Sequence, residues 1–148
     1  MSSKIDSLKF FITGTRRGLG KELTNHFCIV DSLFDCDVFI NNKHDGFKQV
    51  EMLYDAAKLG KQIINIGSHA SDFPYAHRYA VEKKSLREAN HQLFIDGVNT
   101  SIVNFGYFDS LRSKDYQGNK LPIQYCVDII KWIIEQPHRI KDITCVPK

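Results

Sequence analysis

One stretch constrains the fold of this chain more than any other: Lys9-Phe10-Phe11-Ile12-Thr13-Gly14-Thr15-Arg16-Arg17-Gly18-Leu19-Gly20. The apolar run from Leu8 to Ile12, interrupted only by Lys9, reads as a short buried strand. It breaks at Thr13-Gly14, passes Gly18, and enters an amphipathic segment from Leu19 to Phe27 that reads as a helix. A strand, a glycine turn and a helix start thus follow one another without a spacer. The first turn of a helix has N–H groups with no intrahelical partner, at the positive end of the helix dipole. Glycines let an anion approach those groups without a Cβ clash, which suits the turn to phosphate. Glycine triplets also recur by chance in ordinary strand-to-helix turns, so the rest of the chain has to decide.

The composition sets the frame. At 148 residues the chain is one domain, 1–148, long enough for a core without disulfides or metals. A net charge of +3, with no basic run longer than Arg16-Arg17 or Lys83-Lys84, argues against nucleic acid. Cys28, Cys36, Cys126 and Cys145 lack C-x-x-C spacing and read as free thiols of a reducing cytoplasm. The polar N-terminus and the shortness of Phe10-Phe11-Ile12 leave no membrane segment, so a cytoplasmic location is expected. The six histidines show no ligand spacing, and no metal is expected.

Strands and helices alternate along the chain. Asp37 to Asn42 reads as a second strand, reached through a short mixed connection from Cys28 to Cys36. Phe47, Val50, Leu53, Tyr54 and Ala57 form a helical stripe that Gly60 should end. Gln62 to Ser68 is a β-branched third strand, followed by a long helix from about Tyr75 to Phe94. Val98 to Phe105 is a fourth strand, ended by Gly106, and a flexible loop spans Ser110 to Lys120. A last helix carries Ile123, Val127, Ile130, Ile133 and Ile134 up to Pro137, and Ile143 to Val146 is a short final strand. The expected fold is α/β: a truncated, Rossmann-like parallel sheet of about five strands with helices on both faces.

In such a sheet, ligands bind beyond the carboxyl ends of the strands. Those ends carry Gly14 to Gly20, Asn41-Asn42, Ser68, and Gly106 to Ser110, with Tyr79 and Lys83 one helical turn apart nearby. A tyrosine hydroxyl titrates near 10, so acid–base work at neutral pH needs a neighbouring cation to favour its anion. Lowering it by about three units takes roughly 4 kcal/mol of differential stabilisation. With six Tyr and fourteen Lys, chance alone supplies about 0.6 Y-x-x-x-K matches, so order and context carry the argument.

That order resembles the short-chain dehydrogenase/reductase family from Phe10 to the C-terminus. Thr13-Gly14-x-x-x-Gly18-Leu19-Gly20 is similar to its cofactor turn, and Asn41-Asn42 to the start of its N-N-A-G motif. Ile63 to Ser68 resembles the strand bearing its serine, Tyr79-Ala80-Val81-Glu82-Lys83 its Y-x-x-x-K, and Asn104 to Ser110 its P-G-x-x-x-T segment. The resemblance implies Ser68, Tyr79 and Lys83 as catalytic residues: substrate positioner, acid–base, and modulator of the tyrosine. It implies Gly14, Arg16, Arg17, Gly18, Leu19, Gly20, Asn41, Asn42, Lys83 and Gly106 as cofactor-binding residues. Arg17 looks like the basic residue that accompanies NADP preference, so NADP is the expected cofactor, NAD the alternative, and a small carbonyl or alcohol the substrate.

The departures are large. Family members are longer, and here nothing between Phe27 and Asp37 leaves room for the usual adenine-side strands, so weak cofactor binding is expected. Lys43 and His44 replace small residues of N-N-A-G, and Phe105 replaces the proline. The asparagine of the family's proton relay has no clear counterpart; Gln49 is the nearby amide. Two readings follow: an NADP-dependent oxidoreductase, or a retired dinucleotide-binding or regulatory module. The direct route from the first helix to the Asn41-Asn42 strand should leave Leu8–Ile12 at or near an edge. Such an edge favours a homo-oligomer, most simply a dimer.

Overall fold

The computed structural model describes residues 4–110 and 113–148; Leu111 and Arg112 of the expected loop, and the first three residues, lie outside these. A 3-10 turn leads into β1 (Lys9–Ile12), α1 (Gly18–Thr24), β2 (Cys28–Ile29), β3 (Val38–Asn41) and α2 (Lys48–Lys58). Then come β4 (Gln62–Ser68), a second 3-10 turn (His69–Asp72), α3 (Arg78–Ile95), β5 (Thr100–Phe105), α4 (Ile123–Glu135) and β6 (Asp142–Cys145). The strands form one six-stranded sheet in the order β2-β1-β3-β4-β5-β6, parallel throughout.

Side-chain alternation divides the core in two. Phe10, Ile12, Val38, Ile40, Ile64 and Ile66 face α1 and α4, where they meet Leu19, Leu23, Val127 and Ile130. Phe39, Ile63 and Ile102 face α2 and α3, against Leu53, Ala56, Leu86, Ala89 and Leu93. Every residue of β3 and β5 is buried, which is why β3 starts as a continuous apolar run, Val38-Phe39-Ile40, while β5 carries buried Thr100, Ser101 and Asn104 among its apolar residues. The helix ends follow local chemistry: Gly60, at φ +70°, comes just after α2, and Pro122 precedes α4.

The parallel α/β sheet is as expected, with one short strand beyond the expected five or so: Cys28–Ile29 makes a two-residue stub that pairs with Lys9 and Phe10. The edge is therefore this stub, and Leu8–Ile12 lies one strand in, near an edge as expected, with Lys9 and Phe10 paired to the stub. From the stub the chain passes beneath the amino end of β1, where Asp37 N donates to Lys9 O and Lys9 N to the Asp37 carboxylate, both 2.8 Å. The α2 stripe is also turned: its buried residues are Gln49, Leu53 and Ala56, while Phe47 and Tyr54 are exposed. Finally, α3 starts at Arg78, a little later than expected, because His77 is its N-cap and its Nδ1 accepts from Ala80 N.

Candidate functional site

β1 leads through α1 to β2 on one side, while β3 lies on its other side, so the sheet's topological switch point falls between β1 and β3. Ligand crevices open at such points. The glycine turn sits there. Gly14 and Gly18 have φ of +69° and +61°, a region that L side chains avoid. At Gly20 an added Cβ would lie 1.9 Å from Gly14 O, so only glycine lets the helix start this close to the turn. Beside Gly18, by contrast, a Cβ would meet nothing within 4 Å, so the turn opens onto free space.

Asn42 ties this turn to the end of β3. Its Nδ2 donates to Thr13 O and Gly14 O at 3.1 and 3.2 Å, and Thr13 Oγ1 accepts from the Asn42 and Lys43 N–H groups at 3.1 Å each. Arg16 and Arg17 are exposed, whereas the Leu19 side chain is buried in the core. Arg17 occupies the N-cap of α1 without a side-chain cap, and the first turn has no acidic residue. The orphan N–H groups of the first turn therefore have no capping side chain or local negative charge.

Asn41 departs from its expected role. Its side chain turns inward, where Nδ2 donates to Gln49 O at 2.8 Å and Asn65 Oδ1 at 2.9 Å. It supports the strand end from within the core and does not line the neighbouring cavity. Of the amide pair, Asn42 is the one that faces the site.

That cavity, about 520 Å³, lies past the ends of β4 and β5. Ser68, Tyr79 and Lys83 all line it, together with Asn42 and Gly106. The glycine turn and Arg16-Arg17 do not, and Asn42 is the physical link between the two regions. A shallower hollow of about 580 Å³, on the outer face of α2 and α3 around Tyr54 and Val81, gathers none of these groups.

Tyr79 stands in the first turn of α3 with 37% of its surface exposed, so its ring is reachable from solvent. One turn on, Lys83 is buried, and its Nζ donates to Gln49 Oε1 and Ile66 O, both at 3.0 Å. The ammonium lies 5.8 Å from the Tyr79 ring centre. Gln49 is held in turn, its Nε2 donating to Asn41 O at 2.8 Å and Ile66 O at 3.1 Å. The weak candidate of the sequence is thus the residue that positions the lysine. A polar residue at i of an i, i+4, i+7 set, Gln49, Leu53 and Ala56, was the signal for it.

Sequence reasoning marked His44 only as bulk in the N-N-A-G motif and gave Glu82 no role. The His44 ring packs edge-on against Tyr79 at 4.7 Å, and its Nε2 lies 3.5 Å from a carboxylate oxygen of the buried Glu82. It also missed the tie between α3 and β6. Asp142 accepts from Arg87 Nε at 2.7 Å, from Asn104 Nδ2 at 2.7 Å, and faces His91 Nε2 at 2.6 Å. Burial pushes the Asp142 carboxyl up, but Arg87 and His91 outweigh it and hold the group below its ordinary range.

No family model and no curated protein matches the sequence. Solved structures do match the fold. A short-chain dehydrogenase from Burkholderia cenocepacia in complex with NADP superposes with a TM-score of 0.68 at 15% identity, over 95% of this chain and 88% of that one. The chain has the short-chain dehydrogenase/reductase fold. A blue fluorescent protein from a metagenomic library, in complex with NADPH, gives 0.75 at 13% identity, over 97% and 98%. The 3-alpha-hydroxysteroid dehydrogenase of a Pseudomonas species, complexed with NADH, gives 0.72 at 12% identity, over 93% and 95%. Within the short-chain dehydrogenase/reductase fold, the glycine turn, Ser68, Tyr79 and Lys83 all lie at the carboxyl ends of the strands or beside them. Among the described residues, no helix is long and apolar enough to cross a membrane.

Proposed function

We propose that this chain is a shortened short-chain dehydrogenase/reductase that binds NADP(H) and interconverts a small carbonyl compound and its alcohol. The observation that carries the reading is the meeting of Ser68, Tyr79 and Lys83 on one cavity, joined through Asn42 to a glycine turn that opens onto free space. The turn fits a pyrophosphate: its glycines admit close approach, and the N–H groups beyond them have no capping side chain. Arg16 and Arg17, exposed beside it, suit a ribose phosphate, which a guanidinium pairs in bidentate fashion. Asn42 and Lys83 would hold the nicotinamide end. When bound, the cofactor supplies or accepts the hydride.

The chain's own residues handle the proton. In reduction, the Tyr79 phenol delivers its proton to the substrate oxygen, and in oxidation the phenolate takes one back. Gln49 fixes the Lys83 ammonium at the height of that ring, 5.8 Å from its centre. The Ser68 hydroxyl donates to the same substrate oxygen while accepting from Ala70 N. Two-residue, exposed β2 offers the adenine little wall, so affinity rests on the phosphates and the nicotinamide side.

That same thin adenine side favours a second reading, a non-catalytic dinucleotide-binding module. A homodimer covering the helix faces near the exposed Phe47 and Tyr75 belongs to either reading, and a monomer in sedimentation at micromolar concentration would remove it. The deciding experiment is NADPH oxidation with a panel of small aldehydes and ketones. We expect turnover in the wild type that Tyr79→Phe abolishes while folding and cofactor binding persist. Undiminished turnover in Tyr79→Phe would overturn the mechanism, and none in the wild type would leave the binding module.

A further inference from the structure

The cavity around Tyr79 has a one-sided composition that the reaction does not require. Three histidines, His44, His69 and His77, line it together with Lys83, and among its described lining residues there is no aspartate or glutamate. The carboxylates near these imidazoles stand outside the lining: Glu82, buried, lies 3.5 Å from His44 Nε2, and Asp72 lies 3.5 Å from His69 Nε2. Both carboxylates are shared with cations, Glu82 with Arg78 and Asp72 with Arg87. His77 differs. Its Nδ1 accepts from Ala80 N at 3.4 Å as the cap of α3, so in the neutral ring the proton sits on Nε2 and that nitrogen is a donor. Among the described residues, no three side chains converge as a metal would need. The histidines are therefore read as donors to a ligand.

The rest of the lining sets uncharged polar groups, Asn42, Ser68, Ser110 and Ser113, beside an aromatic wall. Tyr107, stacked on Tyr116 at 3.9 Å, and Phe108, packed edge-on against Phe105, stand among the same lining. A site that offers cationic and N–H donors without a carboxylate, beside an aromatic wall, selects an anion with an apolar body. We propose that the substrate carries a carboxylate next to its reacting centre: a small aromatic or branched oxo acid, or the matching hydroxy acid. The carboxylate binds at the histidines and the apolar body lies against Tyr107 and Phe108. The reaction balances as for any carbonyl reduction. Hydride from the reduced nicotinamide goes to the carbonyl carbon and the Tyr79 proton to its oxygen, giving the hydroxy acid and oxidised cofactor.

This inference rests on the oxidoreductase reading for its chemistry but not for its binding claim, so it is tested without cofactor. Benzoylformate and its neutral methyl ester are titrated into the whole protein near pH 6, followed through the histidine ring resonances in NMR. We expect the acid to bind at least about tenfold more tightly than the ester, and to move the His69 and His77 signals. In His69→Gln combined with His77→Asn, which keeps a capping side chain on α3, the preference should shrink several-fold. Equal binding of acid and ester, or a preference unchanged in the double variant, would overturn the proposal. Turnover of both compounds at equal rates would overturn it while leaving the oxidoreductase reading in place. Selective binding of the acid without any NADPH-dependent turnover would support the site and sink that reading instead.

Discussion

Replacing Gln49 by leucine tests whether the site lysine is held as described. The side chain is almost wholly buried, and the change keeps its size while removing three hydrogen bonds. Two are neutral, from Nε2 to Asn41 O and Ile66 O, each worth about 0.5–1.5 kcal/mol net. The third takes an acceptor from the Lys83 ammonium, and bonds to charged groups are worth about 1.5–3 kcal/mol. The sum is roughly 2.5–6 kcal/mol, offset by about 1–2 kcal/mol from the added apolar burial of leucine. A net loss of about 0.5–5 kcal/mol, centred near 3 kcal/mol, is therefore expected, against a typical whole-domain stability of about 5–15 kcal/mol. Urea denaturation should show a lower midpoint with an unchanged slope. Adding Lys83→Met should cost less than the sum of the two single changes, by about 1 kcal/mol or more, because it removes the group left short of an acceptor. A loss below about 0.5 kcal/mol with additive singles would refute the idea that Gln49 holds Lys83.

Two further predictions follow from the glycine turn and the β6 tie. Gly20→Ala should destabilise by about 3 kcal/mol through overpacking, since its Cβ would meet Gly14 O at 1.9 Å. Gly18→Ala, with open space but φ +61°, should cost only about 1–2 kcal/mol; thermal melts of the pair check the order. Because Asp142 titrates lower in the folded protein than its ordinary 3.8, its contribution is complete above that value and lost as pH falls through the folded one. Asp142→Asn should be less stable than wild type at neutral pH and lose less on acidification, as urea midpoints between about pH 2 and 6 will show.

Much of this architecture was legible in the sequence because it rests on long apolar runs and on glycine. Gln62 to Ser68 is a strand over those same residues, since burial on both faces leaves no alternation to misread. Ser68 at a strand end and Tyr79 and Lys83 at helical spacing were legible locally, but their grouping into one site rested on the resemblance to the short-chain dehydrogenase/reductase family. What failed was what depends on partners distant in sequence. The Cys28–Ile29 strand exists only through its pairing with β1, and two residues carry no period of their own. The face of α2 was misread because Phe47 and Tyr54 are apolar but exposed, whereas Gln49 is polar and buried by hydrogen bonds to three different segments. Asn41 and Asn42 are neighbours of one type with opposite tasks, and alternation along the strand decides which faces the site.

The central claim is that the glycine turn and the Lys83 side of the cavity together hold a nicotinamide dinucleotide. Titration of the purified protein with NADPH, followed by nicotinamide fluorescence, addresses it most directly, with Gly18→Val as the comparison. The account predicts saturable enhancement in the wild type with a Kd of about 10–100 μM, and none in Gly18→Val, whose side chain would fill the open space beside the turn and whose folding is checked by circular dichroism. Identical titrations for the two proteins, or no saturable signal in the wild type up to about 1 mM, would contradict it.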